Sequence, residues 1–324
     1  MTMLGLTIRT ALSRKDRLMV IGISIVVLIL LLATYQLSNI ILKPRVKTPE
    51  DIYKREVENG RIVPDLFKSM EKTKIQIPSR YGYTLSAVVL ENDVTKRIEN
   101  NHKVAVLCHG YTYGKLGAIV YAHILMELGF TAIIYDHRNH GESGKKYTTM
   151  GYYEKYDLET VIDWCYVNFG KDIRIVTHGE SMGAATVLNY LNIKDNVALT
   201  IADCGYSDLR TLLRHQMKTI FHIPHVIFMP FAIFCLKLRA GFNIKDVSPI
   251  DGVKKSKTPI LFIHGDKDTY VPYQMSIKMY KECKAPKKLY LAKGAVHANS
   301  VVVDYEQYKR VVRDFIKKFY DNER

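Results

Sequence analysis

The amino-acid sequence predicts an α/β fold in which a mostly parallel sheet of eight strands carries helices on both faces and follows one membrane-spanning helix. Three observations predict this. Residues 18–37 form an apolar run without a charge. From about residue 72, short β-branched apolar runs alternate with amphipathic runs of helical length, a pattern typical of β-α-β units. Within that region, a serine flanked by glycines lies where a predicted strand meets a predicted helix.

Composition narrows the class of protein. The chain has 324 residues, of which 48% are hydrophobic and 24% are charged. These fractions exclude a disordered chain, and the lack of a glycine period excludes a collagen-like one. The five cysteines are too few for a disulfide scaffold and lack Cys-x-x-Cys spacing, so we expect buried thiols rather than a zinc site. The net charge of +15 is spread along the chain, which argues against a nucleic-acid partner and fits a surface near anionic lipid headgroups.

The apolar run is long enough to cross a bilayer. At about 1.5 Å per residue, the stretch from Leu18 to Leu37 spans roughly 30 Å, the thickness of the hydrocarbon core. A cleaved signal peptide has a shorter apolar region before a small-x-small site, whereas this run ends in Ala-Thr-Tyr-Gln. We therefore expect a basic tail over residues 1–17, a single-pass anchor in the cell membrane over residues 18–37, and a polar stalk over residues 38–71.

Cations flank the anchor on both sides, so the positive-inside rule discriminates weakly between its two orientations. A short tail with several cations is hard to translocate, whereas a long downstream domain is exported largely regardless of its charge. The sequence thus favours an N-terminus inside the cell and a folded domain outside the cytoplasm. The flanking cations are Arg9, Arg14, Lys15, Arg17, Lys43, Arg45 and Lys47.

The folded domain is predicted to occupy residues 72–324, enough for one large core. Right-handed crossovers place its helices on both faces of the sheet. The predicted strands are 74–77, 84–90, 104–108, 132–135, 173–177, 199–202, 260–263 and 289–291. The predicted helices are 118–128, 153–169, 182–191, 273–284 and 302–319.

Residues 207–245 form an insertion between two predicted strands and contain the apolar segment FHIPHVIFMPFAIFCLKL. The insertion is too short for a second membrane span, and Pro224 and Pro230 are expected to break any long helix. Two interpretations stay open. The segment forms ordinary packing helices, or it forms a small apolar cap over a binding pocket that also touches the membrane surface, since such clefts are lined mainly by apolar groups.

The segment Gly179-Glu180-Ser181-Met182-Gly183 fits the Gly-x-Ser-x-Gly pattern of a nucleophile elbow. A sharp strand-to-helix turn strains the serine backbone, and small residues two positions before and after it avoid a collision. Met182 then contributes a backbone N–H at the helix N-terminus, where the helix dipole favours a developing oxyanion. The alternative is a helix cap that fits the pattern by chance.

Serine is a weak nucleophile at neutral pH and needs a base that is itself held by an acid. His297 follows a late strand, at the edge where open α/β sheets build their sites, and is the candidate base. Asp268, Asp266 and Asp203 are candidate acids, although Asp266 also suits a turn. The order of serine, acid and histidine along the chain differs from that of chymotrypsin and subtilisin.

Over residues 72–324 these motifs resemble the α/β-hydrolase superfamily, and in particular the membrane-tethered bacterial hydrolases of the serine-aminopeptidase-like and Bem46-like groups. The segment 109–112, HGYT, is similar to the H-G-x oxyanion loop, which implies that the Tyr111 N–H joins that of Met182 in an oxyanion hole. The H-G-G-G loop of many lipases is absent at this position. The segment 264–272, HGDKDTYVP, matches the pattern that places the family's acid on Asp268.

The segment 136–143, DHRNHGES, resembles the D-x-R-G-x-G-x-S turn of the same superfamily. It departs from that pattern at Asn139, where glycine is common. Asparagine also tolerates a positive φ, so the same turn is expected.

The predicted activity is acyl transfer to water, with no metal or organic cofactor. Ser181 would attack a carbonyl, His297 would move the proton, and Asp268 would orient the imidazole. The substrate is expected to be a small acyl compound, with a carboxylic ester as the default and a thioester or short peptide as alternatives. A non-enzymatic alternative is a membrane-bound scaffold with this fold, against which the intact set of serine, aspartate and histidine argues.

Overall fold

Eight strands form one sheet in the computed structural model, which describes residues 13–96 and 102–321. They are β1 Glu71–Pro78, β2 Thr84–Glu91, β3 Lys103–Cys108, β4 Thr131–Tyr135, β5 Arg174–Glu180, β6 Leu199–Asp203, β7 Ile260–Gly265 and β8 Lys287–Ala292. Their order in the sheet is β1-β2-β4-β3-β5-β6-β7-β8. Strand β2 pairs antiparallel with β1 and β4, and the other neighbours are parallel. The predicted α/β-hydrolase fold, with a mostly parallel eight-stranded sheet, is confirmed.

The helices follow the strands in the predicted alternation. They are α1 Arg14–Leu42, α2 Pro49–Glu58, α3 Pro64–Ser69, α4 Asp93–Lys96, α5 Ile119–Met126, α6 Glu154–Phe169, α7 Met182–Tyr190, α8 Leu209–Thr219, α9 His225–Ala240, α10 Pro249–Lys255, α11 Gln274–Glu282, α12 Ser300–Val303 and α13 Tyr305–Phe319. The predicted helix 302–319 is divided at Asp304, whose side chain accepts a hydrogen bond from the Gln307 N–H and begins α13.

Both faces of the sheet are covered because its central strands are apolar on both sides. In β3, Ala105 and Leu107 join a buried cluster with α5 and α13, whereas Val104 and Val106 join a second cluster with α6 and α7. Side chains alternate between the faces of a strand, so a continuous apolar run fills two cores at once. Because β5, β6 and β7 pair in parallel, their carboxyl ends meet at one edge of the sheet, where the predicted functional residues lie.

The predicted anchor lies within α1, and most of its side chains are exposed. Among the described residues, α1 is the helix that by itself is long and apolar enough to span a membrane. Residues 1–12 of the predicted basic tail lie outside the described residues. Near its end α1 packs against α9, which belongs to the insertion.

The insertion forms α8 and α9, and the expectation that Pro230 breaks a long helix is wrong. Helix α9 continues through Pro230 and begins directly after Pro224. A proline inside a helix removes the hydrogen bond to the carbonyl four residues earlier, here that of Val226. Val226 lies in the first turn of α9 and is largely exposed, so its carbonyl is not buried without a partner. The loss of one bond at the start of the helix is therefore tolerated.

The segment predicted as a polar stalk is folded onto the domain. Helices α2 and α3 lie within it, and Ile52, Glu56, Arg61 and Ile62 are buried. The composition of this segment is polar, but its few apolar residues and two of its charged residues point into the domain. Its prolines begin α2 and α3 rather than extending the chain, since proline at the first helical position costs no hydrogen bond.

The turn after β4 has the backbone expected of its motif. Asn139 adopts φ 62°, the conformation that favours glycine at this position. Gly141 is also required, because a Cβ there would lie 2.3 Å from the carboxylate of Asp136. That carboxylate accepts bonds from the Lys115 backbone N–H and ammonium, at 2.7 and 2.6 Å, and ties the turn to the residues before α5.

Candidate active site

The turn between β5 and α7 is strained and tightly packed. Ser181 has φ 57° and ψ −112°, and its backbone N–H donates to the Asp203 carbonyl at 2.8 Å. A Cβ at Gly179 would lie 2.2 Å from the Gly183 carbonyl oxygen, and one at Gly183 would lie 2.0 Å from that of Cys108. Real Cβ atoms do not approach backbone this closely, so both positions require glycine. The strain holds the serine side chain at the carboxyl edge of the sheet.

The structure brings Ser181, His297 and Asp268 together. The Ser181 Oγ lies 2.9 Å from the His297 Nε2, and the His297 Nδ1 lies 2.6 Å from the Asp268 Oδ2. A carboxylate only accepts hydrogen bonds, so Nδ1 carries the imidazole proton and Nε2 is left to accept the serine proton. This is the tautomer that a general base for Ser181 needs.

Asp268 is held as a carboxylate by a set of donors. Its Oδ1 accepts from the backbone N–H groups of Tyr270 and Val271, at 2.9 and 2.8 Å. Its Oδ2 is shared between His297 and the Nε2 of His264, which lies 3.1 Å away. Burial alone favours the neutral acid, but the hydrogen bonds from His264 and His297 outweigh it and lower the pKa of Asp268 to about 2.

His264 belongs to the HGDKDTYVP segment, but the motif predicted no role for it. Its contacts in the structure indicate one. The Nε2 is close to two acceptors, Asp268 Oδ2 and the Val271 carbonyl, so it carries the proton. The Nδ1 accepts from the Ser276 hydroxyl at 2.7 Å. His264 therefore orients the carboxylate, much as a second layer of ligands orients a metal site.

The predicted oxyanion donors belong to residues near the serine in the structure. Met182 is the first residue of α7, and the loop of Tyr111 passes close to the elbow, since a Cβ at Gly110 would lie 3.7 Å from the Ser181 Cβ. Within the described part of the chain, neither the Tyr111 nor the Met182 backbone N–H has an acceptor. Two such N–H groups beside a serine are suited to binding a developing negative charge.

His109 fixes the Tyr111 loop. Its Nε2 accepts from the His137 N–H at 2.9 Å, and burial lowers the pKa of the ring to about 3. The ring therefore stays neutral and acts as a hydrogen-bonded spacer between two loops. The loop is also bound to the end of α1 and to the residues after it, because the Tyr111 hydroxyl donates to the Ile40 carbonyl and the Lys47 N–H donates to the Thr112 carbonyl.

The two other candidate acids lie elsewhere. The Asp203 carboxyl accepts from the Ser300 hydroxyl at 3.2 Å, and burial raises its pKa to about 6, with the nearby charge of Glu180 adding to the shift. Asp266 accepts from the Gly294 N–H at 2.7 Å and connects the loops after β7 and β8. Asp266 thus has the turn-forming role considered for it, and Asp268 alone of the three is hydrogen-bonded to His297.

Arg61 was missed by the sequence analysis. Its guanidinium lies behind the elbow, 2.6 Å from the Glu180 Oε2 and 3.1 Å from the Glu56 Oε2. It also donates to the Ala298 carbonyl at 3.4 Å. Arg61 follows α2 in a segment of polar composition, far in sequence from the residues it contacts, so no local pattern marks it.

Cys204, Asp268 and His297 form a group whose ligating atoms lie within 4.8 Å of one another. The Asp268 and His297 atoms are already hydrogen-bonded together. Burial raises the pKa of the Cys204 thiol well above its usual value, which disfavours the thiolate that binds metals. The chemistry of these donors therefore suits a hydrogen-bonded acid and base better than a metal site.

Comparison with known proteins agrees with the fold. The model of the prolyl oligopeptidase family matches residues 120–322. The protein YqkD of Bacillus subtilis is 37% identical over 288 residues, covering 88% of this chain and 92% of that one. A membrane protein of Saccharomyces cerevisiae, YNL320W, is 26% identical over 59% of this chain and 62% of its own length. The solved structure of the Pyrococcus furiosus esterase Pf2001 superimposes with a TM-score of 0.63 and 24% identity, covering 80% of this chain and 96% of that one.

The lowered pKa of Asp268 predicts a specific dependence of stability on pH. A carboxyl with a depressed folded-state pKa contributes stability above its unfolded pKa and loses it as the pH falls through the folded one. The shift from 3.8 to about 2 corresponds to about 2 kcal/mol. The difference in free energy of unfolding between the wild type and Asp268→Asn should therefore be about 2 kcal/mol larger at pH 6 than at pH 2. Urea unfolding in detergent at a series of pH values measures the difference, and a constant difference would contradict the assignment.

Proposed function

The chain belongs to the prolyl oligopeptidase family of α/β hydrolases, and we propose that it is a serine hydrolase, anchored in the cell membrane by α1, that cleaves carboxylic esters. The observation that carries the proposal is the continuous chain of hydrogen bonds from Ser181 through His297 to Asp268. A scaffold protein has no need of a strained serine hydrogen-bonded to an imidazole that an aspartate orients, whereas acyl transfer by a serine uses both.

The proposed reaction follows from these positions. Ser181 Oγ attacks the substrate carbonyl while His297 Nε2 takes its proton, and Asp268 stabilises the imidazolium that forms. The N–H groups of Tyr111 and Met182 bind the oxyanion of the tetrahedral intermediate. His297 then protonates the leaving group, which leaves an acyl group on Ser181. A water molecule, deprotonated by His297, attacks this acyl group and releases the acid. Apart from the substrate and the water molecule, this chain's own side chains and backbone supply every group that these steps use.

A peptidase activity is the second candidate, and the matched family favours it by name. A thioesterase is the third, because the same elbow serves either acyl group. The two groups named from the motifs, serine-aminopeptidase-like and Bem46-like, stay predictions within the same superfamily.

The proposed location is the cell membrane, with α1 as a single-pass anchor and the hydrolase domain outside the cytoplasm. Helix α1 supports the anchoring by its length, its apolar composition and its exposed surface. The cations on the N-terminal side support the orientation.

Covalent labelling tests the nucleophile. A fluorophosphonate probe should label the wild type in membranes and should fail to label Ser181→Ala, because among residues 13–96 and 102–321 Ser181 is the serine hydrogen-bonded to His297. Asp268→Asn should label far more slowly, by about 10⁴-fold if the imidazole takes the wrong tautomer. Ser69→Ala, at an exposed serine of α3, is the matched control and should label like the wild type. Undiminished labelling of Ser181→Ala would refute the assignment.

Substrate profiling tests the bond. The purified full-length protein should hydrolyse p-nitrophenyl esters with a higher kcat/KM than aminoacyl anilides, and Ser181→Ala should lose both activities together. A preference for the anilides would replace the proposed esterase by a peptidase.

A reporter at the C-terminus tests the orientation. Alkaline phosphatase folds into an active enzyme only outside the cytoplasm, so its fusion should be active and a fluorescent-protein fusion dark. The reverse result would place the hydrolase domain in the cytoplasm.

A further inference from the structure

The outward face of α9 is apolar although it is exposed. Phe234 and Leu238 are 55% and 72% exposed, and Val226 and Ile227 extend the same kind of surface toward the start of the helix. Soluble domains rarely leave a continuous apolar surface of this kind in water. The inward side of α9 is different, because Met229 and Leu236 join a buried cluster with Met182 and with Leu42 of α1.

The position of α9 along α1 indicates what covers that surface. The Cys235 thiol lies 4.0 Å from the Leu31 carbonyl, and Arg239 donates to the Tyr35 carbonyl at 2.8 Å and to the Asn39 Oδ1 at 2.6 Å. Leu31 precedes the end of the predicted span by six residues, or about 9 Å of helix. In a bilayer crossed by residues 18–37, Cys235 would thus lie at the depth of the acyl chains, and Arg239 near the end of the span.

The charged residues of α9 fit the same depth. Arg239 is bonded to α1, where it satisfies carbonyl and amide oxygens near the end of the span. Lys237 is exposed one turn from Phe234 and is long enough to reach the headgroups while its stem stays among apolar groups. Lys43 and Arg45 follow at the end of α1, where the headgroup layer begins.

We propose that α9 is embedded in the leaflet that holds the C-terminal end of α1, with Phe234 and Leu238 against lipid acyl chains. The inference rests on the proposed anchoring by α1 and goes beyond it, since an anchor on a flexible tether would leave the domain free of the membrane. The cap of the hydrolase domain is then itself a membrane-binding element, and the domain has a fixed orientation on the bilayer.

Tryptophan quenching by lipids tests the embedding, because the chain contains a single tryptophan. Full-length Trp164→Phe protein serves as the background for Phe234→Trp, Leu238→Trp and Leu28→Trp in phosphatidylcholine vesicles. Brominated acyl chains should quench Phe234→Trp and Leu238→Trp strongly, compared with unbrominated vesicles. Val167→Trp, at an exposed position on α6, is the matched control and should keep its fluorescence.

The variant in α1 separates the two ideas. If Leu28→Trp is quenched and both α9 variants are not, the anchor is correct and the embedding of α9 is wrong. If none of the three is quenched, the proposed anchoring fails first. A second copy of this chain covering α9 would give the first of these results, together with dimers in cross-linking.

A different set of side chains carries a second inference. Glu180 immediately precedes Ser181, and Ala298 immediately follows His297. The Arg61 guanidinium forms a buried ion pair with Glu180 at 2.6 Å and donates to the Ala298 carbonyl at 3.4 Å. The Tyr121 hydroxyl is a third partner of this guanidinium, at 3.1 Å. One cation therefore connects the loop of the proposed nucleophile to the loop of the proposed base.

We infer that Arg61 is a positioning residue that sets the distance between Ser181 and His297. It does not touch the substrate, so its loss should lower kcat much more than it changes KM. Displacement of reacting groups by about 1 Å costs about 10²-fold in rate, so a decrease in kcat of about 10- to 100-fold is expected for Arg61→Gln. This inference also rests on the proposed function.

The experiment compares Arg61→Gln, Arg61→Lys and the control Lys54→Gln, an exposed cation of α2, on a p-nitrophenyl ester. Arg61→Lys should recover part of the lost kcat, because it keeps the charge but not the geometry. Thermal melting identifies variants that fail to fold. If the Arg61 variants do not fold, Glu180→Gln, which changes the ion-pair partner of Arg61, is measured in their place. Wild-type kcat in folded Arg61→Gln or in Glu180→Gln would overturn the inference, whereas an inactive wild type would overturn the proposed function instead.

Discussion

Close contact between backbones at the turn from β5 to α7 constrains the rest of the site. Gly183 lies against the Cys108 carbonyl at the end of β3, and Gly179 lies against Gly183 itself. These contacts leave Ser181 at a positive φ, from which its side chain can point away from the sheet. The loops after β3, β7 and β8 approach the serine at this edge of the sheet. They carry Tyr111, Asp268 and His297, respectively.

The hydrogen-bond donors around each aspartate help to decide whether its carboxyl group is ionised. Asp268 stays ionised because backbone N–H groups and two imidazoles donate to it. Asp203, with fewer donors and complete burial, has a raised pKa. Asp203 ends β6 and Asp268 follows the neighbouring strand β7, so their different pKa values come from burial, nearby charge and local donors and not from their place in the fold.

Most of the sheet and the three aligned side chains could be predicted from the sequence, because β-branched runs and the motifs after each strand are local patterns. The eight strands were predicted within a few residues of their observed bounds. Arg61 and the folding of residues 49–69 onto the domain could not be predicted, since their contacts join positions far apart in the sequence and leave no periodic signal. Pro230 failed as a helix breaker because it removes only the hydrogen bond to the Val226 carbonyl, which lies in the exposed first turn of α9.

The buried Arg61 also sets a boundary for any truncation designed to remove the proposed membrane span. A chain shortened at residue 72, where composition places the start of the domain, would lose the only guanidinium that neutralises Glu180 in the described structure. A chain that begins between Lys43 and Thr48 would shed the span yet retain α2, α3 and this cation. The shorter chain would leave the buried Glu180 carboxylate without its cation, which costs several kcal/mol. The longer chain would keep this ion pair.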